Sequence, residues 1–324
     1  MELRPEHITI AVTVYSRREF VLGAIRSALN QTVPVKVMVV EDCGPDPTLR
    51  AFITAEFGDR IEYFRNPKNR GLFDNWNACL EYCRTPWLSI LHDDDLLHPN
   101  FIETMLALAR AAPDRALYFG GWASLAENGA LSHAPAANWG KDWRDLDLRK
   151  FAENCFVYFP GQLFHVAAVQ EIGGFRPVSY FTGDWDMWFH LALRFGAAQS
   201  ATETATVRSH YSNDSDRGTS LVERKGWKYA LDNVQRKRNL ALLKKEKGIT
   251  IPFDRAKLLS ASPIPSRLLL RHAHGFTRRM LNYNWWLFTR CRPPHARYAL
   301  LQSLVRILGP RALRAVSKAM SGSR

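Results

Sequence analysis

Three consecutive aspartates, Asp93, Asp94 and Asp95, interrupt the stretch LSILHDDDLLHP directly after a run that reads as a buried strand. Adjacent carboxylates repel one another and resist desolvation, so the cluster calls for something positive nearby. Capping of a helix started by Pro99 accounts for one acid but fits three poorly. Oxygen ligands on a short rigid turn suit Mg²⁺ or Mn²⁺, hard ions that take one or two protein carboxylates and leave their other positions to water and phosphate oxygens. A diphosphate is then the natural co-ligand, and the ion would offset charge building on a leaving phosphate.

The elements that must position these acids read as βαβαβαβ over the first hundred residues. HITIAVTVY (7–15), VKVMVVE (35–41), RIEYFRN (60–66) and WLSIL (87–91) have strand character. Between them lie helical stretches at 18–31, 46–58 and 74–84, the last expected to be capped by Asp74. This alternation predicts a mostly parallel sheet covered by helices, in which ligands sit beyond the carboxyl ends of the strands. Thr13 and Tyr15, Glu41 and Asp42, and Asp93 to Asp95 end three of those strands and should converge on one crevice. The chain contains no G-x-x-x-x-G-K-[ST], and no G-x-G-x-x-G follows the first strand, so the usual P-loop and dinucleotide readings lose their main support. Past residue 220 a long basic helix is expected, then a linker at SPIPS (262–266) and further helices with arginines opposite apolar residues.

Composition bounds the rest. With 324 residues, 46% of them hydrophobic, the chain can bury a substantial core without disulfides, and its five scattered cysteines suit reduced thiols better than a disulfide framework or a zinc site. No apolar run approaches the roughly 20 residues that span a bilayer, and the first residues lack a leader pattern, which together point to the cytoplasm. The net charge of +13 is uneven: residues 1–207 hold 19 basic against 25 acidic residues, and residues 208–324 hold 25 against 6. Such a tail suits phosphate in some form, whether nucleic acid, anionic lipid or a pyrophosphate-linked substrate.

Taken in order, ITIAVTVYSRREFVLGAIRSALNQT, VVEDCGPD, RNPKNRGLFDNWNACLEYCRTPWLSILHDDDLLHP and GDWDMWFHLALRFG resemble the successive motifs of the inverting nucleotide-sugar glycosyltransferases of family 2, over about residues 7 to 212. The resemblance implies a GT-A-type α/β fold and assigns roles by position. Thr13, Tyr15, Asp42, Asn69, Gly71 and Asp93 would hold the nucleotide, and Asp94 with His210 would hold the metal. Asp184 would be the catalytic base; it opens a helix whose dipole favours the ionised carboxylate, with an N-terminal cap as the ordinary alternative. Gly161, Trp185, Asp186 and Trp188 would contact the acceptor or its sugar, although aromatics at helical spacing more often fill a core. Two departures from the family pattern stand out: His92 replaces its first acidic metal-site position, and Gly183 replaces the glutamate before the base.

The expectation is therefore a GT-A catalytic domain over 1–220 followed by a basic helical region over 221–324, and a Mn²⁺- or Mg²⁺-dependent inverting transferase. It would move a sugar from a nucleoside-diphosphate sugar, UDP-sugar favoured, to a glycan or lipid-linked acceptor in bacterial surface polysaccharide synthesis. The basic region suggests peripheral attachment to an anionic membrane surface on the inner face of the cytoplasmic membrane. Two other readings compete. A nucleic-acid-binding module would explain the tail and leave the aspartates without a purpose, so no nucleic acid partner is expected. A nucleotidyltransferase on a similar domain would release pyrophosphate in place of nucleoside diphosphate.

Overall fold

The computed structural model describes residues 2–133, 142–176, 182–208 and 235–251. The alternating pattern folds as the sequence predicts: β1 (Ile8–Val14), α1 (Arg18–Leu29), β2 (Lys36–Glu41), α2 (Leu49–Phe57), β3 (Glu62–Arg65), α3 (Leu72–Tyr82) and β4 (Trp87–His92). Then come β5 (Leu96–Leu97), α4 (Phe101–Ala111), β6 (Leu117–Leu125), β7 (Leu131–His133), β8 (Trp143–Asp145) and α5 (Leu148–Glu153). The chain continues with β9 (Gln162–His165), α6 (Val166–Glu171), α7 (Gly183–Phe195) and β10 (Ala197–Arg208), and residues 235–247 are helical. Helix α3 starts at Leu72 with Gly71 as its cap residue, not with Asp74, because Gly71 takes the positive φ of 81° that turns the chain into the helix.

Among the described residues all the strands share one sheet, ordered β3-β2-β1-β4-β9-β6-β10-β5, with β7 paired to β6 and β8 to β10. The first half is parallel; β9 runs antiparallel to both β4 and β6, so β4 and β6 point the same way. Strand β1 is buried along its whole length, as an apolar run between two parallel neighbours should be. Two cores lie on the sheet's two faces. One packs Val21, Ile25, Ile53, Phe101 and Met105 from α1, α2 and α4; the other packs Trp76, Phe151, Val169, Trp188 and Phe189 from α3, α5, α6 and α7.

Residues 235–251 lie beyond the boundary expected at 220, yet they belong to the same compact unit as the sheet. The physical reason is a buried stripe at helical spacing: Gln235, Asn239 and Leu243 are 1%, 0% and 0% exposed, and Leu243 joins the second core. The expected linker and the helices after it lie outside the described residues.

Candidate active site

The carboxyl ends of β1, β2 and β4 lie side by side in the sheet, and the crevice beyond them is acidic. Asp93, Asp94 and Asp95 follow β4 and are 4%, 7% and 4% exposed, so their charges are held almost entirely within protein. The positive partner is Arg17, on the turn after β1. Its Nη1 donates to Asp93 Oδ1 at 2.7 Å and lies 3.2 Å from Asp94 Oδ2. A second arginine, Arg208 at the end of β10, donates its backbone N–H to Asp95 Oδ1 at 2.9 Å and its Nε to the Asp94 carbonyl at 3.0 Å. Neither arginine stands out in the sequence, since only the sheet brings residues 17 and 208 to residues 93–95.

Burial dominates the electrostatics. It pushes the Asp93 carboxyl up to about 7 despite the pull of Arg17, and it raises Asp95 well above the ordinary carboxylate range, with the Asp94 charge adding to the effect. Crowded, desolvated carboxylates of this kind are relieved by a cation. His92 Nδ1 lies 3.7 Å from Asp95 Oδ2, and one donor atom from each of His92, Asp94 and Asp95 falls within 4.8 Å of the others. An imidazole nitrogen and two carboxylates form a donor set that fits Mn²⁺ well and Mg²⁺ less well. The substitution of His92 for an acid therefore leaves a metal-competent group in place. Of the two expected ligands, Asp94 is in this group, while His210 lies outside the described residues. The His92 ring is fixed by stacking on Phe159 and Trp76, with centroids 4.2 and 5.5 Å away.

Asp42, expected at the nucleotide, serves as the post around which a loop is wrapped. Its Oδ1 accepts from Asn66 Nδ2 at 2.9 Å and from the Arg70 N–H at 2.8 Å, and its Oδ2 accepts from the Gly71 N–H at 2.8 Å. Asn66 also donates to Asn75 Oδ1, tying the loop to α3. Asn69 is carried exposed at the tip of this loop. Glu41, one residue earlier, is 1% exposed and collects Tyr63, Arg65 and the Gly44 N–H. Thr13 is 7% exposed, its hydroxyl donating at 3.4 Å to the Leu91 carbonyl, whereas Tyr15 is 40% exposed at the crevice mouth.

Asp184 stands in the first turn of α7, half-buried, with the Trp185 N–H donating to its Oδ1 at 2.7 Å. The position combines access with the positive end of a 13-residue helix, which favours the carboxylate. Phe159 links this helix to the acidic cluster, since its ring lies 5.6 Å from Trp188 and 4.2 Å from His92.

The other residues expected at the acceptor need correction. Trp185 and Trp188 are 3% and 0% exposed; Trp185 donates its indole N–H to the Phe151 carbonyl, and Trp188 packs edge-on against Phe119. Both fill the core, so neither offers a face to a sugar. Asp186 is fully buried and binds Arg176 at 2.8 Å and Gln235 Nε2 at 3.0 Å, with Arg238 3.6 Å away. It anchors the 235–247 helix to α7 and has no surface left for an acceptor. Gly161 has φ of 82°, and a Cβ there would stand 2.9 Å from Thr204 Oγ1, so the close approach that needs a glycine is made by β10.

The family model described as Glycosyl transferase family 2 matches residues 9–173, just over half of the chain. An uncharacterized glycosyltransferase of Rickettsia felis is 27% identical over 193 residues, 57% of this chain and 31% of that protein. The succinoglycan biosynthesis protein ExoO of Rhizobium meliloti is 34% identical over 106 residues, 32% of this chain and 30% of its own. The chain thus spans about a third of the length of these curated relatives. Among solved structures, S. aureus TarS 1-349 in complex with UDP-GlcNAc superposes with a TM-score of 0.58 at 14% identity, covering 96% of this chain and 91% of that one. At that identity the likeness speaks for the fold, which is of the GT-A type.

Proposed function

This chain belongs to glycosyltransferase family 2, and from that membership we propose that it is a divalent-metal-dependent, inverting glycosyltransferase using a nucleoside-diphosphate sugar. The observation that carries the reading is the packing of His92, Asp94 and Asp95 into one donor cluster, joined through Phe159 to the helix that presents Asp184. UDP-sugar is the favoured donor, a choice supported by the UDP-GlcNAc named for TarS. Polysaccharide assembly is the favoured setting, supported by the succinoglycan role named for ExoO.

In this reading Asp184 accepts the proton of an acceptor hydroxyl as that oxygen attacks the anomeric carbon. The bond from that carbon to the diphosphate oxygen breaks, the nucleoside diphosphate leaves with the electron pair, and configuration inverts. Asp184 suits the task because the positive end of α7 favours a carboxylate and the Trp185 N–H donates to its Oδ1. Arg17 holds Asp93 and Asp94 together, and the loop wrapped on Asp42 carries Asn69 and Gly71, which would contact the nucleotide. A cation held by His92, Asp94 and Asp95, with His210 as an expected further ligand, would supply Lewis-acid neutralisation of the departing diphosphate.

The domain limits proposed are 1–220 for catalysis, extended by the packed 235–251 segment, and a basic region for the remainder. No helix among the described residues is long and apolar enough to cross a membrane. The balance of 25 basic to 6 acidic residues after 207 supports attachment to an anionic membrane surface and a lipid-linked acceptor.

The test is nucleotide release from a panel of sugar nucleotides with Mn²⁺. UDP release that stops in EDTA, and a fall of about 100-fold or more in Asp184→Asn at unchanged folding, are expected. Undiminished release in EDTA or in Asp184→Asn would overturn the mechanism. Pyrophosphate as the product would favour a nucleotidyltransferase.

A further inference from the structure

Trp185 and Trp188 lie in the core and present no aromatic face to an acceptor. Among the described residues Tyr158 is one of three large apolar side chains left exposed, at 40%. It leans on the half-buried Trp122, with ring centroids 3.9 Å apart and planes tilted by 42°. An indole and a phenol side by side in water forgo burial that a folded chain ordinarily takes, unless something else covers them.

The pair's position identifies what that is. Trp122 lies on β6 opposite Ala205 of β10, and three residues further along β10 the Arg208 N–H donates to Asp95. At about 3.3 Å per residue and about 4.8 Å between strands, the Trp122 backbone stands within about 15 Å of the acidic cluster. Tyr158 immediately precedes Phe159, whose ring lies between His92 and Trp188. The aromatic pair is therefore, through Tyr158, one residue along the chain from the ring that joins the cluster to the helix carrying Asp184. It is also on the far side from the nucleotide loops: these end β1 and β2, while β6 lies beyond β4 and β9 in the sheet order.

A Cβ at Gly120 would meet Thr204 Oγ1 at 1.9 Å, and one at Gly121 would meet the Thr202 backbone carbonyl at 3.1 Å, so β6 and β10 pack closely next to Trp122. An aromatic face carries negative quadrupole density, and the axial C–H groups on one face of a pyranose complement it. A neutral sugar ring matches these two side chains, neither of which carries a charge for a phosphate.

We propose that Trp122 and Tyr158 form a stacking platform for a pyranose ring of the glycan acceptor, holding it beside the reacting hydroxyl. The proposal rests on the glycosyltransferase reading for the word acceptor, but the carbohydrate site stands or falls by itself. The test is saturation-transfer NMR on the full chain with methyl β-D-glucopyranoside and methyl N-acetyl-β-D-glucosaminide, which needs no catalysis. Wild type should show transfer to the ring C–H protons; Trp122→Ala should weaken binding about tenfold or more, while Tyr158→Phe should retain it. UDP affinity with Mn²⁺ should stay within about twofold in both variants. Should Trp122→Ala fail to fold, Tyr158→Ala at its exposed position serves the same comparison.

In turnover, the acceptor KM should rise with kcat and donor KM held. Glycoside binding equal to wild type in Trp122→Ala and Tyr158→Ala, or no glycoside binding by wild type while UDP binds, would overturn the platform. Glycoside binding without any binding of a nucleotide or sugar nucleotide would instead sink the glycosyltransferase reading and leave a carbohydrate site.

Discussion

At the scale of single residues, Arg17 is the side-chain cation that faces the acidic turn most closely among the described residues. Its side chain is 13% exposed, and it faces two carboxylates that are themselves 5% and 9% exposed, so water does little of the neutralising. Arg17→Met would leave those charges buried without their guanidinium, a loss of about 3 kcal/mol or more. Urea unfolding without metal should show that loss, and Mn²⁺ should restore part of it through His92, Asp94 and Asp95. Equal stability of the variant and wild type without metal would mean that Arg17 is not the neutralising partner. Asp94 and Arg17 illustrate how far the site is legible: three aspartates in a row announce a need for positive charge, but which arginine answers is a matter of strand order.

Two junctions between elements test the fold's account of the site. Gly44 follows β2, and a Cβ there would stand 1.8 Å from the Tyr15 carbonyl oxygen on the turn after β1. The contact is backbone on one side, so it has no flexible side chain to yield. Gly44→Ala should lower stability by about 2 kcal/mol and, on the proposed function, weaken UDP binding together with it, because the same two turns carry the proposed nucleotide contacts Tyr15 and Asp42. An unchanged melting temperature would contradict this packing. His165 is the second case. It precedes α6 and its Nδ1 accepts from the Ala168 N–H, which requires a neutral ring; burial lowers its pKa below 6.5. As pH falls through the unfolded value, the unfolded chain takes up a proton that the folded ring resists, so stability is lost on acidification and fully present above it. His165→Asn keeps a capping acceptor that does not titrate. It should remove the His165 share of the slope of melting temperature between about pH 7.5 and about pH 5.5, leaving the share of His190, whose pKa burial also lowers, and the opposite contribution of Asp93 and Asp95, whose raised values favour the folded state on acidification.

For the whole molecule, the packing of residues 235–251 on the sheet unit joins sequence-distant parts. Leu243 is in the core and Gln235 and Arg238 face the buried Asp186 two positions from Asp184. A chain ended after residue 234 should therefore unfold more easily than one ended after residue 251, by about 3 kcal/mol or more. Equal urea midpoints for the two would refute the role given to this helix. If the proposed attachment to an anionic surface draws on the balance of 25 basic to 6 acidic residues after 207, binding to vesicles containing anionic lipid should weaken steeply as salt rises, and salt-independent binding would refute that source.

By itself the sequence determined the alternation of strands and helices, because short continuous apolar runs bounded by turn residues, and apolar residues at helical spacing, are written residue by residue. It also marked the acidic turn and Asp184 as candidates, because charge at a strand end or helix start is a local statement. Tertiary structure alone decided the rest. Trp185, Asp186 and Trp188 went to the core because α7 is covered on most sides by α5, α6 and the 235–247 helix, which no spacing within 183–195 reveals. Arg17, Arg208, Trp122 and Tyr158 gained their places because hydrogen-bonded strands bring together residues far apart in the chain. Sheet order sets those distances, and sheet order is a property of the folded whole.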